Sequence, residues 1–163
     1  MKIGITNDHR GLVLKQTLTN YLENKGYNII DYGTDSDDSV DYPDYAFKLG
    51  KSLQKKDIDL GIAICGTGIG MDIALNKVKG IRCAKASNEE EAILARSHND
   101  ANALALSAKI SSDIAKDIVD KFINTNFSND KRHIERIQKI KEYENDQTCL
   151  LLNCLSINRM ESR

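Results

Sequence analysis

No run of about 18 consecutive apolar residues occurs in the 163-residue chain, so nothing in it reads as a membrane span. Charge of one sign is lacking too. Its 23 basic and 24 acidic residues leave a net charge of −1, without the basic excess of a nucleic-acid-binding domain. The start, Met-Lys-Ile-Gly-Ile-Thr, has neither the apolar stretch nor the small-residue cleavage site of a secretion signal, and a cytoplasmic location is expected. The four cysteines, at 65, 83, 149 and 154, match no common zinc spacing and suit a reducing compartment. Repeats, linkers and low-complexity segments are missing from the first 144 residues. What is there, 40% apolar and 29% charged residues, fits one soluble globular domain.

Strand and helix signals alternate. Lys2–Thr6 reads as a strand, and Leu14, Leu18, Tyr21 and Leu22 set an amphipathic helix over Gly11–Lys25, stopped at Gly26. Tyr27–Tyr32 is a second strand and Gly33–Val40 a polar loop. The only proline, Pro43, suits the first turn of a helix reaching about Lys55. Leu60–Cys65 is apolar without alternation, as a parallel strand buried on both faces should be. A helix to about Val78 follows, with Ile69, Ile73 and Ala74 at helical spacing. Then come strand Ile81–Ala84, helix Glu89–Arg96 and strand Ala103–Leu106. Ser111 or Ser112 caps a helix carrying Ile114, Ile118 and Phe122. The last helix, about Lys131–Tyr143, places Ile134, Ile137 and Ile140 on one side. This order implies an α/β fold, a Rossmann-like three-layer α/β/α sandwich on a five-stranded, mostly parallel sheet with a C-terminal helix.

Ligands of such sheets bind beyond the carboxyl ends of the strands. Asp8 and His9 after the first strand, Cys65 after the third and Lys85–Asn88 after the fourth are expected to cluster there, while His98 and Asn99 fall in the loop entering the fifth strand. The most informative stretch is Leu60–Gly70, where a strand runs into Cys65-Gly-Thr-Gly-Ile-Gly70 and a helix start. The first N–H groups of a helix lack internal partners and attract anions, and a cysteine there feels a dipole that favours its thiolate. The GxGxG spacing is not a dinucleotide fingerprint. It follows the third strand, and Lys85-Ala-Ser87 stands where a ribose-binding carboxylate belongs. Taken singly, each candidate has a plain structural reading. Cys65 can be a small core residue, Asp8 a helix cap, Thr67 a turn residue, and Tyr42 and Tyr45 packing residues. Arg132 and Arg136, four apart, form either a solvated face or a phosphate fork.

Asp8-His9, Gly33-Thr34, Asp41-Tyr42-Pro43, Cys65–Gly70, Asn76-Lys77 with Gly80-Ile-Arg82, Arg96–Asn102 and Arg132-His133 stand in one order. In that order the chain resembles the type B ribose-5-phosphate isomerases and the related galactose-6-phosphate isomerase subunits. The resemblance covers residues 1–144 as one sugar-phosphate isomerase domain and leaves 145–163 as a tail. It implies an aldose–ketose isomerase that interconverts ribose 5-phosphate and ribulose 5-phosphate through an enediolate, in the non-oxidative pentose phosphate pathway, with no metal and no cofactor. It also implies a homodimer, sometimes paired into a tetramer, with each active site built from two subunits. Cys65 matches the base, Thr67 its hydroxyl helper and His98 the residue that opens the sugar ring. Gly66, Gly68, Ile69, Gly70 and Asn99 match the groups holding the enediolate oxygens. Asp8, His9 and Tyr42 match the substrate-contacting stretches, and Arg132 and Arg136 match a phosphate clamp.

Three departures stand out. Lys109 replaces an arginine that contacts substrate, keeping charge but losing the planar fork. Arg10 stands where a small or apolar residue is usual. Met71-Asp72 replaces a common Ile-Ser pair, and a carboxylate at 72 could compete with an anion. Two other functions fit the same residues: a hexose 6-phosphate isomerase acting on allose or galactose 6-phosphate, and a non-catalytic sugar-phosphate binding protein. The tail, Asp146–Arg163, carries a sticky Cys149–Leu152 stretch. It is either an inert appendage or a segment that packs on a neighbouring subunit.

Overall fold

The computed structural model describes the backbone of residues 1–160 and the side chains of residues 1–146. The chain divides into two compact units, Met1–Phe127 and a second beginning at Ser128. In the first unit, strands β1 (Lys2–Asn7), β2 (Asn28–Asp31), β3 (Leu60–Cys65), β4 (Cys83–Lys85) and β5 (Ala103–Ser107) form one sheet in the order β2-β1-β3-β5-β4. All of its pairings are parallel. From β1 the chain steps one way to β2 and then crosses to β3 on the other side. The resulting switch point leaves a crevice at the carboxyl ends of β1 and β3.

Five helices cover the two faces: α1 (Leu12–Asn24), α2 (Tyr42–Gln54), α3 (Ile69–Leu75), α4 (Glu89–Asn99) and α5 (Ser112–Asn124). One core holds Leu14, Leu18 and Leu22 of α1, Ala92 and Ala95 of α4, and Ile118 and Phe122 of α5 against Ile62 and Ile64 of β3. The other holds Leu49 and Leu53 of α2 and Met71 and Leu75 of α3 against Ala63 and Cys65. Strand β3 therefore feeds both layers, as a fully buried parallel strand must. Ile62 and Ile64 are 0% exposed, and burial of each stabilises the fold by roughly 1.5–3 kcal/mol.

Three expectations change. Helix α3 ends at Leu75 rather than Val78, because Asn76 turns its side chain to β4. Its Nδ2 donates to the Cys83 carbonyl at 3.0 Å and its Oδ1 accepts the Cys83 N–H at 2.9 Å. The buried face of α3 is Met71, Ala74 and Leu75, while Ile69 and Ile73 are each 53% exposed. Helix α4 runs on to Asn99, three residues past Arg96, and closes with Asp100 in the left-handed conformation. In the second unit, helix α6 (Lys131–Met160) continues far beyond Tyr143, about 45 Å in all. Ile137 is buried on it, and Ile134 and Ile140 are about half exposed. The packing of the tail's side chains lies outside the described residues. Among the described residues, no helix is long and apolar enough to cross a membrane.

Candidate active site

The crevice is built where β1 and β3 end. Asn7 pairs with Ile64, and the Asp8 N–H donates to the Ile64 carbonyl at 3.1 Å. Asp8 leaves the strand extended and caps the short 3-10 turn His9–Gly11, its Oδ1 accepting from the N–H groups of Arg10 at 2.9 Å and Gly11 at 3.2 Å. The cap reading of Asp8 thus holds, and its other oxygen is free of these bonds. Beside it, Cys65 ends β3 against Ser107, and its carbonyl accepts the Ala108 N–H at 2.9 Å.

The glycine turn then reverses the chain. Gly68 has φ 78°, and a Cβ there would meet the Leu106 carbonyl carbon at 3.0 Å, so only glycine fits without strain. The Gly68 N–H donates to Cys65 Sγ at 3.2 Å, which fixes the sulfur at the mouth of α3. Thr67 Oγ1 accepts the Ile69 N–H at 3.3 Å. The N–H groups of Gly68 and Ile69 are therefore taken by the loop itself. Gly66, Thr67 and Gly70 face a cleft of about 230 Å³, lined also by Asp8, Arg10, Tyr42, Cys65 and Lys109. Tyr42 stacks on Gly70 so closely that a Cβ at 70 would come within 2.8 Å of Cζ. Tyr45 instead packs into the α2 side of the core.

A buried lysine that the sequence pattern conceals supports this crevice. Lys15, 2% exposed, reaches from α1 to Asp31 and Asp35, each at 2.7 Å, and to the Thr34 carbonyl at 2.9 Å. Burial alone would lower its pKa, but the hydrogen bonds to Asp31 and Asp35 outweigh it, and the net shift is upward. Asn7 Nδ2 donates to the same Thr34 carbonyl at 3.2 Å, and His9 Nδ1 accepts the Val40 N–H at 3.3 Å. Together they pin the 33–40 loop to the end of β1. Gly33 is forced, because any Cβ would run into Asn7.

Asp72 does not threaten an anion in the cleft. Its carboxylate accepts from Asn76 Nδ2 at 3.2 Å and from the Cys83 thiol, on the β4 side of α3. Burial pushes its pKa up, and burial with Asp72 beside it pushes the Cys83 thiol well up.

His98 and Asn99 do not join the cleft of their own chain. They occupy the last turn of α4, at the amino end of β5, whereas Cys65 and Lys109 lie at its carboxyl end. The intervening strand alone spans about 13 Å. Both residues precede β5 as the sequence order places them, but on the end of α4, which returns antiparallel to the strands, rather than in a loop. The turn carrying them is braced. Asp100 binds Arg82 at 2.8 Å and Arg96 at 3.2 Å, and Arg82 Nε donates to the Asn99 carbonyl at 2.9 Å. In the second unit, Arg132 and Arg136 are exposed one turn apart and line a single groove on α6.

A doubly wound parallel sheet, with a thiol set at a glycine-turned helix start and cations around it, defines an α/β protein that handles small anionic substrates. The comparisons narrow this further, because the model of the ribose/galactose isomerase family matches residues 3–140, and the chain belongs to that family. A probable ribose-5-phosphate isomerase B of Mycoplasma genitalium is 44% identical over 147 residues, covering 88% of this chain and 96% of that one. The ribose-5-phosphate isomerase B of Escherichia coli K12 is 38% identical over 144 residues, covering 88% and 96%. The structure of ribose-5-phosphate isomerase B from Clostridium thermocellum superposes with a TM-score of 0.87 at 45% identity, covering 90% of this chain and 99% of that one. The M. genitalium enzyme with bound ribulose-5-phosphate superposes at 0.84 with 43% identity, covering 88% and 96%.

Proposed function

We propose that this chain is an aldose–ketose isomerase that interconverts ribose 5-phosphate and ribulose 5-phosphate. The observation that carries the reading is the Cys65 sulfur, held by the Gly68 N–H at the edge of a cleft whose floor is the backbone of the glycine turn. A relative 43% identical binds ribulose-5-phosphate on the same fold, which supports the choice of substrate.

The chemistry follows from the residues. The C2 proton of an aldose becomes acidic only when C1 is a free carbonyl, so the furanose must open first, and His98 is the residue suited to that step, in which the anomeric hydroxyl gives up a proton and the ring oxygen gains one. Cys65, as thiolate, takes the C2 proton while the electron pair moves into C1–C2 and onto the C1 oxygen. The backbone N–H groups of Gly66, Thr67 and Gly70, which line the cleft, are the donors proposed for that oxygen; one such donor is typically worth about 3–4 kcal/mol. The thiol then returns its proton to C1, and the Thr67 hydroxyl assists transfer of the O2 proton to O1. Arg132 and Arg136 are the fork for the phosphate, whose binding orients C1 and C2. No step requires a metal ion.

Cys65 and His98 sit at opposite ends of the sheet in one chain, so a complete set requires a second copy. We take the unit of function to be a homodimer in which each site combines the Cys65 cleft of one subunit with the α4 end of the other. The free thiols Cys65 and Cys83 suit a reducing, cytoplasmic setting. The deciding assay is isomerisation of ribose 5-phosphate in EDTA. Turnover that survives the chelator and collapses in Cys65→Ala supports the reading. Absence of turnover on ribose 5-phosphate, with turnover on allose or galactose 6-phosphate, would replace the substrate.

A further inference from the structure

Arg10 enters the Cys65 cleft from the turn after β1. Its Cδ lies over the glycine turn, 2.9 Å from where a Cβ on Gly66 would stand. Its main-chain N–H is held by Asp8, yet among the described residues its guanidinium makes no ion pair or hydrogen bond. Lys109 lines the same cleft, and its ammonium likewise has no carboxylate partner there. Among the described residues, the acid lining that cleft is Asp8, whose carboxylate accepts two backbone N–H groups. Two cations and one carboxylate thus face one small concavity beside the sulfur, and the excess positive charge draws an anion into it.

We propose that Arg10 is a substrate-binding residue that holds the phosphate of the sugar by charge, supplying the guanidinium fork that position 109 lacks. This rests on the isomerase reading above. The pairing of the two departures is the point. Lysine at 109 keeps a point charge without the planar donor set, and arginine at 10 brings that donor set into the same cleft. The guanidinium is exposed on a flexible stem with nothing bracing it, so it is not preorganised toward the enediolate oxygen. It holds a charge already present before reaction, and so binds ground state and transition state alike. Such uniform binding appears in KM rather than kcat.

The test compares Arg10→Met, which keeps the stem over Gly66, and Arg10→Lys with the parent protein, each checked for an unchanged melting temperature. Kinetics on ribose 5-phosphate and calorimetric binding of inorganic phosphate are read together. We expect Arg10→Met to raise KM by about tenfold with kcat within about threefold, to weaken phosphate binding similarly, and Arg10→Lys to recover part of both. Unchanged KM and phosphate affinity in Arg10→Met would overturn the proposal and reduce Arg10 to a cover for Gly66. A fall in kcat at constant KM would overturn it as well. If the parent protein binds phosphate through Arg10 but turns over no ribose 5-phosphate, the isomerase reading fails while the anion-binding role of Arg10 stands.

Discussion

In the proposed reaction the two edges of the sheet carry different halves of one chemistry. At the carboxyl edge, Cys65, Thr67 and the glycine turn form a cleft fixed by backbone: one positive φ, one N–H to sulfur and close approaches that only glycine allows. At the amino edge, His98 and Asn99 ride on the end of a helix fixed by side-chain charges, with Arg82 and Arg96 both gripping Asp100. The proposed reaction develops its charge at the first edge. The second lies at the other end of β5 from the cleft of its own chain. A parallel α/β fold separates any strand end from the helix end that leads into the neighbouring strand, so two such groups meet only across a symmetry axis.

The largest effects should come from breaking either edge at its reacting group. Cys65→Ala should lower kcat by about 10³-fold or more while a phosphate ligand still binds. His98→Ala should cost about 10- to 100-fold with ribose 5-phosphate as substrate. Its cost should be smaller from ribulose 5-phosphate, whose phosphorylated C5 oxygen cannot close a furanose; equal loss in both directions would remove ring opening from His98. Mixing the two impaired variants sharpens the comparison. With random exchange in a two-fold dimer, half the dimers are mixed and each holds one intact site, so about a quarter of the parent activity should return. Activity no greater than the sum of the separate variants, after exchange is verified by mass, would put both groups in one chain's site.

Next in size are the braces. Asp100→Ala removes the carboxylate that Arg82 and Arg96 bind, leaving Arg82 its bonds to the carbonyl of residue 100, and replaces a residue tolerant of φ 45°. It should cost about 1–2 kcal/mol of stability, discounted for its partly exposed carboxylate, and lower turnover through His98 without altering the Cys65 cleft. Lys15→Met acts at the other edge, where it unpins the 33–35 stretch. A loss of about 1–3 kcal/mol, read by denaturant titration, is expected. Because the folded pKa of Lys15 is raised, its contribution is complete below the ordinary lysine value of about 10.4 and fades as pH climbs through the raised value. Wild type and Lys15→Met should therefore converge in stability only in strong alkali.

Much of this was legible beforehand. The strand–turn–helix at Leu60–Gly70, the all-apolar β3 and the Pro43 helix start follow from local pattern, and the ordered motifs identify the family. What local pattern cannot give is where a helix ends. A helix over Glu89–Arg96 puts His98 and Asn99 in the loop entering β5. Asp100 extends it, because the left-handed residue after Asn99 sets its end. Lys15 is marked by no local pattern, since its two acidic partners lie 16 and 20 residues on. Arg10 looked like a mere departure until the fold laid it over Gly66.

The smallest expected effect concerns the departure that looked most dangerous. A carboxylate at position 72, one turn into the helix after the cysteine, could repel an anionic substrate. The structure turns it away from the carboxyl-edge cleft toward Asn76 and Cys83, where burial raises its pKa. The sign follows from that shift. A carboxyl raised in the folded state is destabilising when ionised, and the penalty is relieved as pH falls toward the raised value. Asp72→Asn should therefore leave KM for ribose 5-phosphate unchanged. At pH 7 it should keep stability within about 1 kcal/mol of the parent, on the favourable side where the hydrogen bond to Asn76 is kept. A KM that drops severalfold in Asp72→Asn would mean that the charge is felt in the cleft after all, and that the carboxyl edge is less insulated from α3 than its hydrogen bonds indicate.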